Sequence, residues 1–146
     1  AATAWATTTG TLASGAAAQL AADDSAYLVL GAAKPGASYV VDGYGSYIVP
    51  AAQRNLAGLT VDYDGGASVA GASRTLYLYN FVSKAWESLK TEAQPAADLR
   101  ASVTATGDPK RFLSSTGELR MRVAATSTAA FQLKADQMTF TVSYLP

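Results

Sequence analysis

Hydrophobic residues in this chain recur at every second position over short runs, and nowhere do they sustain a helical period. Between Arg74 and Asn80, Leu76 and Leu78 fall on one face while Tyr77 and Tyr79 fall on the other. Leu119, Met121 and Val123 oppose Arg120 and Arg122 in the same way. Met138, Phe140, Val142 and Tyr144 are expected to point inward, with Thr139, Thr141 and Ser143 outward. Apolar residues on one face and Thr, Ser or Arg on the other is the pattern of an antiparallel sheet with one wet face. The chain is therefore expected to be all-β.

Turn chemistry divides these runs. Tyr27 to Ala33 and Ser38 to Asp42 flank Lys34-Pro35-Gly36, where proline presets φ and glycine accepts a positive one. Asp42-Gly43 reads as a second turn, leading into Tyr44 to Val49. Leu56, Leu59, Val61 and Tyr63 mark a strand closed by Asp64-Gly65-Gly66. Further strands are expected at Ala85 to Lys90, Arg100 to Ala105, Glu118 to Ala124, Phe131 to Lys134 and Gln137 to Tyr144. One short helix is expected near 108–116, with Asp108 as N-cap, Pro109 at the first position and Gly117 as the left-handed exit. The segment Trp5 to Leu12 is expected to pair with Gln137 to Tyr144 or lie near it. Many short strands at this spacing point to one antiparallel β-sandwich of jelly-roll type spanning residues 1–146, with residues 1–12 as a possible extended N-terminal strand.

Composition then narrows function. The chain has 146 residues, 49% of them hydrophobic and only 15% charged, enough apolar material for a core. Eleven basic residues balance eleven acidic ones, so no net field steers the protein to nucleic acid or an anionic membrane. No run reaches the length of a membrane span. There is no cysteine, which excludes disulfides and thiolate chemistry, and no histidine, which removes the usual base near neutral pH. No serine stands three residues before a lysine, and no G-x-x-x-x-G-K-[ST] loop occurs. The chain is expected not to be an enzyme. Its start, Ala1-Ala2-Thr3, fits the end left by signal-peptide removal, and with it an extracellular or cell-surface location.

Four stretches resemble a jelly-roll module, similar in plan to galactose-binding-like domains, that recurs as an accessory domain in secreted bacterial proteins. They are Gly10 to Gly15 with Asp23 to Tyr27; Tyr44 to Tyr47 leading to Asn55-Leu56 and Leu59 to Gly65; Thr75 to Asn80 with Trp86; and Gly117 to Val123 with Phe131 to Asp136. The resemblance implies a non-catalytic module. It also implies a structural calcium between the loop after the first strand and the start of the last, which would join Asp23 or Asp24 to Asp136. The alternative is that Asp24 and Asp136 cap turns through their own side chains. Apart from that calcium, no cofactor is expected.

Two surfaces offer contact. Tyr77 and Tyr79 share a face, as do Arg120 and Arg122, and together they would form an aromatic and guanidinium surface suited to sugars. Tyr44, Tyr47 and Trp86 would add a second platform, although Trp86 fits the core as well. The main expectation is a structural subunit forming a homo-oligomer or polymer (a surface filament, pilus-like fibre or layer, adhesive in some settings), with residues 1–12 donated to a neighbour as an added strand. The alternative is a carbohydrate-binding accessory module that holds a polysaccharide on the Tyr/Arg face.

Overall fold

The alternation builds two five-stranded antiparallel sheets. The computed structural model describes residues 1–146, with strands β1 Ala4–Thr9, β2 Thr11–Ser14, β3 Leu28–Gly31, β4 Tyr39–Ile48, β5 Leu56–Ala67, β6 Ala72–Asn80, β7 Ala85–Gln94, β8 Leu99–Thr104, β9 Glu118–Ser127 and β10 Gln132–Tyr144. The first sheet runs β1-β4-β9-β6-β7 and the second β2-β3-β10-β5-β8. This is a jelly-roll β-sandwich.

One core joins the sheets. Val41, Leu76, Leu78, Leu119, Met121 and Val123 come from the first, and Leu28, Leu30, Leu59, Val61, Tyr63, Leu133 and Met138 from the second. All are buried, and each large apolar side chain removed from water contributes roughly 1.5–3 kcal/mol. Their inward pointing forces the intervening residues of β4, β6 and β9 onto the outer face of the first sheet. Phe140 is half-buried and stacks on Tyr47, with centroids 6.1 Å apart.

Several expectations are corrected. Asp42-Gly43 is not a turn: β4 runs straight through it, and its glycines admit neighbours, since a Cβ at Gly43 would collide with the Trp5 ring and one at Gly45 with the Met138 sulfur. Asp64-Gly65-Gly66 also lies within a strand, where a Cβ on Gly65 would stand 2.6 Å from the Tyr63 hydroxyl and one on Gly66 2.5 Å from the Ala96 carbonyl. Both glycine pairs thus serve close approach rather than chain reversal. The two strands expected around Asp136 are the single strand β10, bulged between Ala135 and Gln137. A second irregularity, between Ser143 and Tyr144, breaks the alternation and leaves Tyr144 46% exposed instead of inward.

The N-terminal segment is not a free strand for a neighbour. Gly10, at φ 98°, divides it so that β1 joins β4 in the first sheet and β2 joins β3 in the second. Against β10 it makes one bond, from the Ala2 amide to the Met138 carbonyl at 2.9 Å. The helix near 108–116 is a 3-10 turn over Pro109–Phe112, with Asp108 accepting from the Lys110 amide at 3.0 Å and Gly117 at φ 87°. Two further 3-10 turns, Ala17–Leu20 and Ala51–Gln53, carry no strong sequence signal. No helix is long and apolar enough to cross a membrane.

Arg74 is wholly buried at one end of the sandwich. It pairs with Glu92 at 2.5 Å, donates to Gln94 and to the Leu99 carbonyl at 2.8 and 3.0 Å, and lies over the Tyr63 ring. Gln94 in turn donates to the Gly65 carbonyl at 3.1 Å, so this network ties β6 and β7 to the second sheet.

Candidate functional site

Residues from all five strands of the first sheet meet in a cavity of about 400 Å³, lined by Thr8, Thr9, Asp42, Tyr44, Tyr79, Trp86, Arg120 and Arg122. Register brings them together. Tyr44 lies opposite Arg122 on β9, Arg122 lies opposite Tyr77 on β6, and Tyr79 lies opposite Trp86 on β7. Thr8 and Thr9 enter from β1, where the Thr8 hydroxyl donates to the Asp42 carbonyl at 2.9 Å.

The rings stand at angles to one another. Trp86 meets Tyr44 at 50° and Tyr79 at 72°, with centroids 5.6 and 5.0 Å apart; Phe81 meets Tyr79 at 77°, with centroids 4.9 Å apart. Edge-to-face contacts of this kind hold each ring in place. The rings therefore make walls rather than one flat platform.

Two guanidinium groups thread between them. The Arg120 guanidinium carbon lies 5.3, 5.5 and 5.2 Å from the centroids of Tyr44, Tyr79 and Phe81. That of Arg122 lies 4.5 Å from Tyr77 and 5.7 Å from Trp86. Arg120 donates to both oxygens of Glu118, at 2.7 and 3.1 Å, and Arg122 to both oxygens of Asp42, the Nε bond being 2.7 Å. Hydrogen bonding to these carboxylates raises both arginines above their ordinary range, so each keeps its charge at any working pH.

Of the sequence candidates, Tyr44, Tyr79, Trp86, Arg120 and Arg122 thus converge on one cavity, with Tyr77 beside it. Trp86 is half-buried on the sheet face, not in the core. Tyr47 does not join them. It sits one residue out of phase with Tyr44 and Ser46, so it turns inward onto Phe140. The sequence reading missed Thr8, Thr9 and Asp42. Asp42 shares a face with Tyr44 in the period-two pattern, but the turn assigned to Asp42-Gly43 hid it.

A second group of polar residues lies on the second sheet. Carboxylate oxygens of Asp23, Asp64, Asp98 and Asp136 all come within 4.8 Å of one another. The bulge in β10 places Asp136 there, fully buried, where it accepts long bonds from the Asp24 and Ser25 amides at 3.3 and 3.4 Å. Burial, then the bond shared with Asp23, pushes the Asp136 carboxyl up to about 6; Asp64 is raised for the same two reasons. Four hard oxygen donors that resist being charged together form a set suited to calcium. Asp24 is not among them, because its side chain accepts from the Ala26 amide at 3.1 Å and caps the turn. Asp64 and Asp98 are the members that sequence spacing did not reveal.

None of the curated proteins matches the sequence. Among solved structures, the TmCBM61 module in complex with β-1,4-galactotriose superposes with a TM-score of 0.62 at 9% identity, covering 97% of this chain and 90% of that one. A CBM4 structure gives 0.55 at 14% identity, covering 95% and 94%. The xylan-binding module CBM15 gives 0.54 at 11% identity, covering 98% and 93%. At these identities the likeness is one of fold alone, the jelly-roll β-sandwich. A family model matches residues 47–143, from the end of β4 through β9 and nearly all of β10. With more than half of its length so matched, the chain belongs to the family described as Domain of unknown function (DUF8815).

Proposed function

We propose that the chain is a non-catalytic, extracellular carbohydrate-binding module that holds a polysaccharide on the outer face of the β1-β4-β9-β6-β7 sheet. The observation that carries this reading is the convergence of Tyr44, Tyr79 and Trp86 with two fixed arginines around one cavity. Sugar rings present C–H faces to aromatic walls and hydroxyls to arginine, threonine and carboxylate groups, and this cavity supplies all of these. The tilt of the rings suits a single glycan chain lying between walls, rather than a flat crystalline surface. Asp42, the one carboxylate in the lining, is tied to Arg122, and Glu118 beside the cavity is tied to Arg120, leaving no free acid and base pair beside a bound chain.

The reading also gives the four-aspartate group a structural calcium, held by Asp23, Asp64, Asp98 and Asp136 with backbone carbonyls completing the shell. Such an ion would pin the 21–27 loop and the start of β8 onto β5 and β10. Self-assembly into a filament or layer has less support, because the segment meant for strand donation is paired within its own chain.

Affinity electrophoresis tests the proposal. Migration through gels containing soluble β-1,4-galactan, xylan or β-glucan is expected to be retarded by at least one of them, and Tyr79→Ala is expected to abolish the retardation. Equal migration in every gel would end the carbohydrate reading.

A further inference from the structure

We infer that the cavity selects uncharged glycan chains over those bearing uronate or sulfate groups, and that Asp42 and Glu118 are its specificity-determining residues; this rests on the carbohydrate reading above. Two arginines in a sugar site would ordinarily favour acidic sugars, since a free guanidinium fork grips a carboxylate or sulfate through two parallel N–H bonds. Here the Nε edge of each guanidinium is already taken. Arg122 spends Nε and one terminal nitrogen on the two oxygens of Asp42, and Arg120 spends the same pair of atoms on Glu118.

The faces of the guanidinium groups are occupied as well. Arg120 lies near three rings and Arg122 near two, at the distances given above, which crowds the approach of an anion over the guanidinium planes. Each arginine keeps one terminal nitrogen, Nη1, without a partner in the chain. With the second N–H of Nη2 it forms an outer edge whose donors suit sugar hydroxyls and whose charge is already balanced by the carboxylate on the inner edge.

Charge points the same way. Two guanidinium groups and two carboxylates cancel around the cavity, and the whole chain has eleven charges of each sign. A uronate would gain no steering field and would meet Asp42 and Glu118 at close range. To take their place it would have to displace carboxylates held permanently beside the forks by β4 and β9, a contest that free ligand loses to a tethered group. Asp42 and Glu118 thus act through the arginines: by neutralising them they weaken anion recognition and leave donors that read hydroxyls.

The test compares binding of wild type and of Asp42→Asn/Glu118→Gln to soluble galactan, xylan and β-glucan, and to polygalacturonate, at low salt and at 0.5 M salt (roughly a 4–5 Å screening length). Wild type is expected to bind one of the neutral polymers at least tenfold more tightly than polygalacturonate. The double variant is expected to gain at least tenfold on polygalacturonate at low salt and to lose that gain at high salt. Glu118→Gln alone, which alters one rim pair, is expected to show a smaller gain and serves if the double variant unfolds. If wild type binds polygalacturonate as tightly as any neutral polymer, the selectivity is wrong while the carbohydrate reading stands. If folded variants show no gain, Asp42 and Glu118 do not set it. Absence of binding to all four polymers overturns the carbohydrate reading and this inference together.

Discussion

Tyr79 and Trp86 face each other across the β6–β7 ladder with their rings edge to face, 5.0 Å apart. Neither belongs to the core, whose β6 members are Ala72, Leu76 and Leu78, so this pair is maintained on the outer face of the sheet, beside two arginines. Trp86→Ala is expected to weaken glycan binding by about tenfold or more, equivalent to ~1.4 kcal/mol. The fold should lose no more than ~1–2 kcal/mol, because the ring is only half-buried. Titration calorimetry alongside a denaturant melt separates the two effects.

On the inner face the balance reverses. Met121→Ala removes a fully buried side chain from between the sheets and is expected to destabilise by about 2–5 kcal/mol. Gly45→Ala fails in the opposite sense, since its methyl would drive into the Met138 sulfur; a loss of ~1–3 kcal/mol is expected. Urea midpoints measure both, and glycan affinity of the folded fraction should stay near wild type.

The first of these predictions was open to sequence and the second was not. Met121 lies in an uninterrupted alternation from Leu119 to Val123, so its burial follows from period alone. Gly45 lies beside an Asp-Gly pair whose chemistry is that of a turn, and only the third dimension shows what fills the space over it. The same limit applies to the site. Tyr79, Arg120 and Arg122 could be placed on one face by counting, but whether β6 and β9 are neighbours depends on strand order, which alternation does not encode. Trp86 is as apt for a core as for a groove until β7 is known to be an edge strand. Asp64 and Asp98 escaped notice because a strand pairing, not a short spacing, brings them to Asp136.

The buried Arg74 makes a separate demand. Glu92→Ala leaves its guanidinium with Gln94 and the Leu99 carbonyl but without a countercharge, and a loss of about 3 kcal/mol is expected. Arg74→Met, which removes the charge along with its partner's purpose, is expected to be milder than Glu92→Ala. Thermal melts of the two single variants give the order directly.

The aspartate group predicts an unusual pH response in the metal-free protein. Asp136 has a folded pKa of about 6 against an ordinary 3.8, so between these values the folded state holds more protons than the unfolded one. Stability therefore falls as pH rises through that window, and the raised Asp64 adds to the same slope. Below pH 4.5 the sign changes: Glu87, lowered by its bonds from Arg111 and Asn80, and Glu92, lowered because Arg74 and Lys90 outweigh its burial, lose stability as acid protonates them. In chelator the melting temperature is expected to be higher at pH 4.5 than at pH 7, with Asp136→Asn flattening the decline. Calcium should remove the decline and raise the melting temperature at pH 7, by an amount equivalent to ~2.7 kcal/mol at a hundredfold excess over its Kd. An unchanged melt on adding calcium would assign the four aspartates a role without metal.

Two tryptophans give the carbohydrate site its own internal control. Trp86 lines the cavity, whereas Trp5 lies on β1 over Gly43 with its indole N–H donating to Thr7 at 2.9 Å. Indole N–H resonances in a two-dimensional NMR titration with a neutral oligosaccharide report on each separately. The account predicts that the Trp86 signal moves saturably while the Trp5 signal stays in place. A saturable titration that leaves Trp86 unmoved and shifts residues elsewhere would place the binding surface off this sheet.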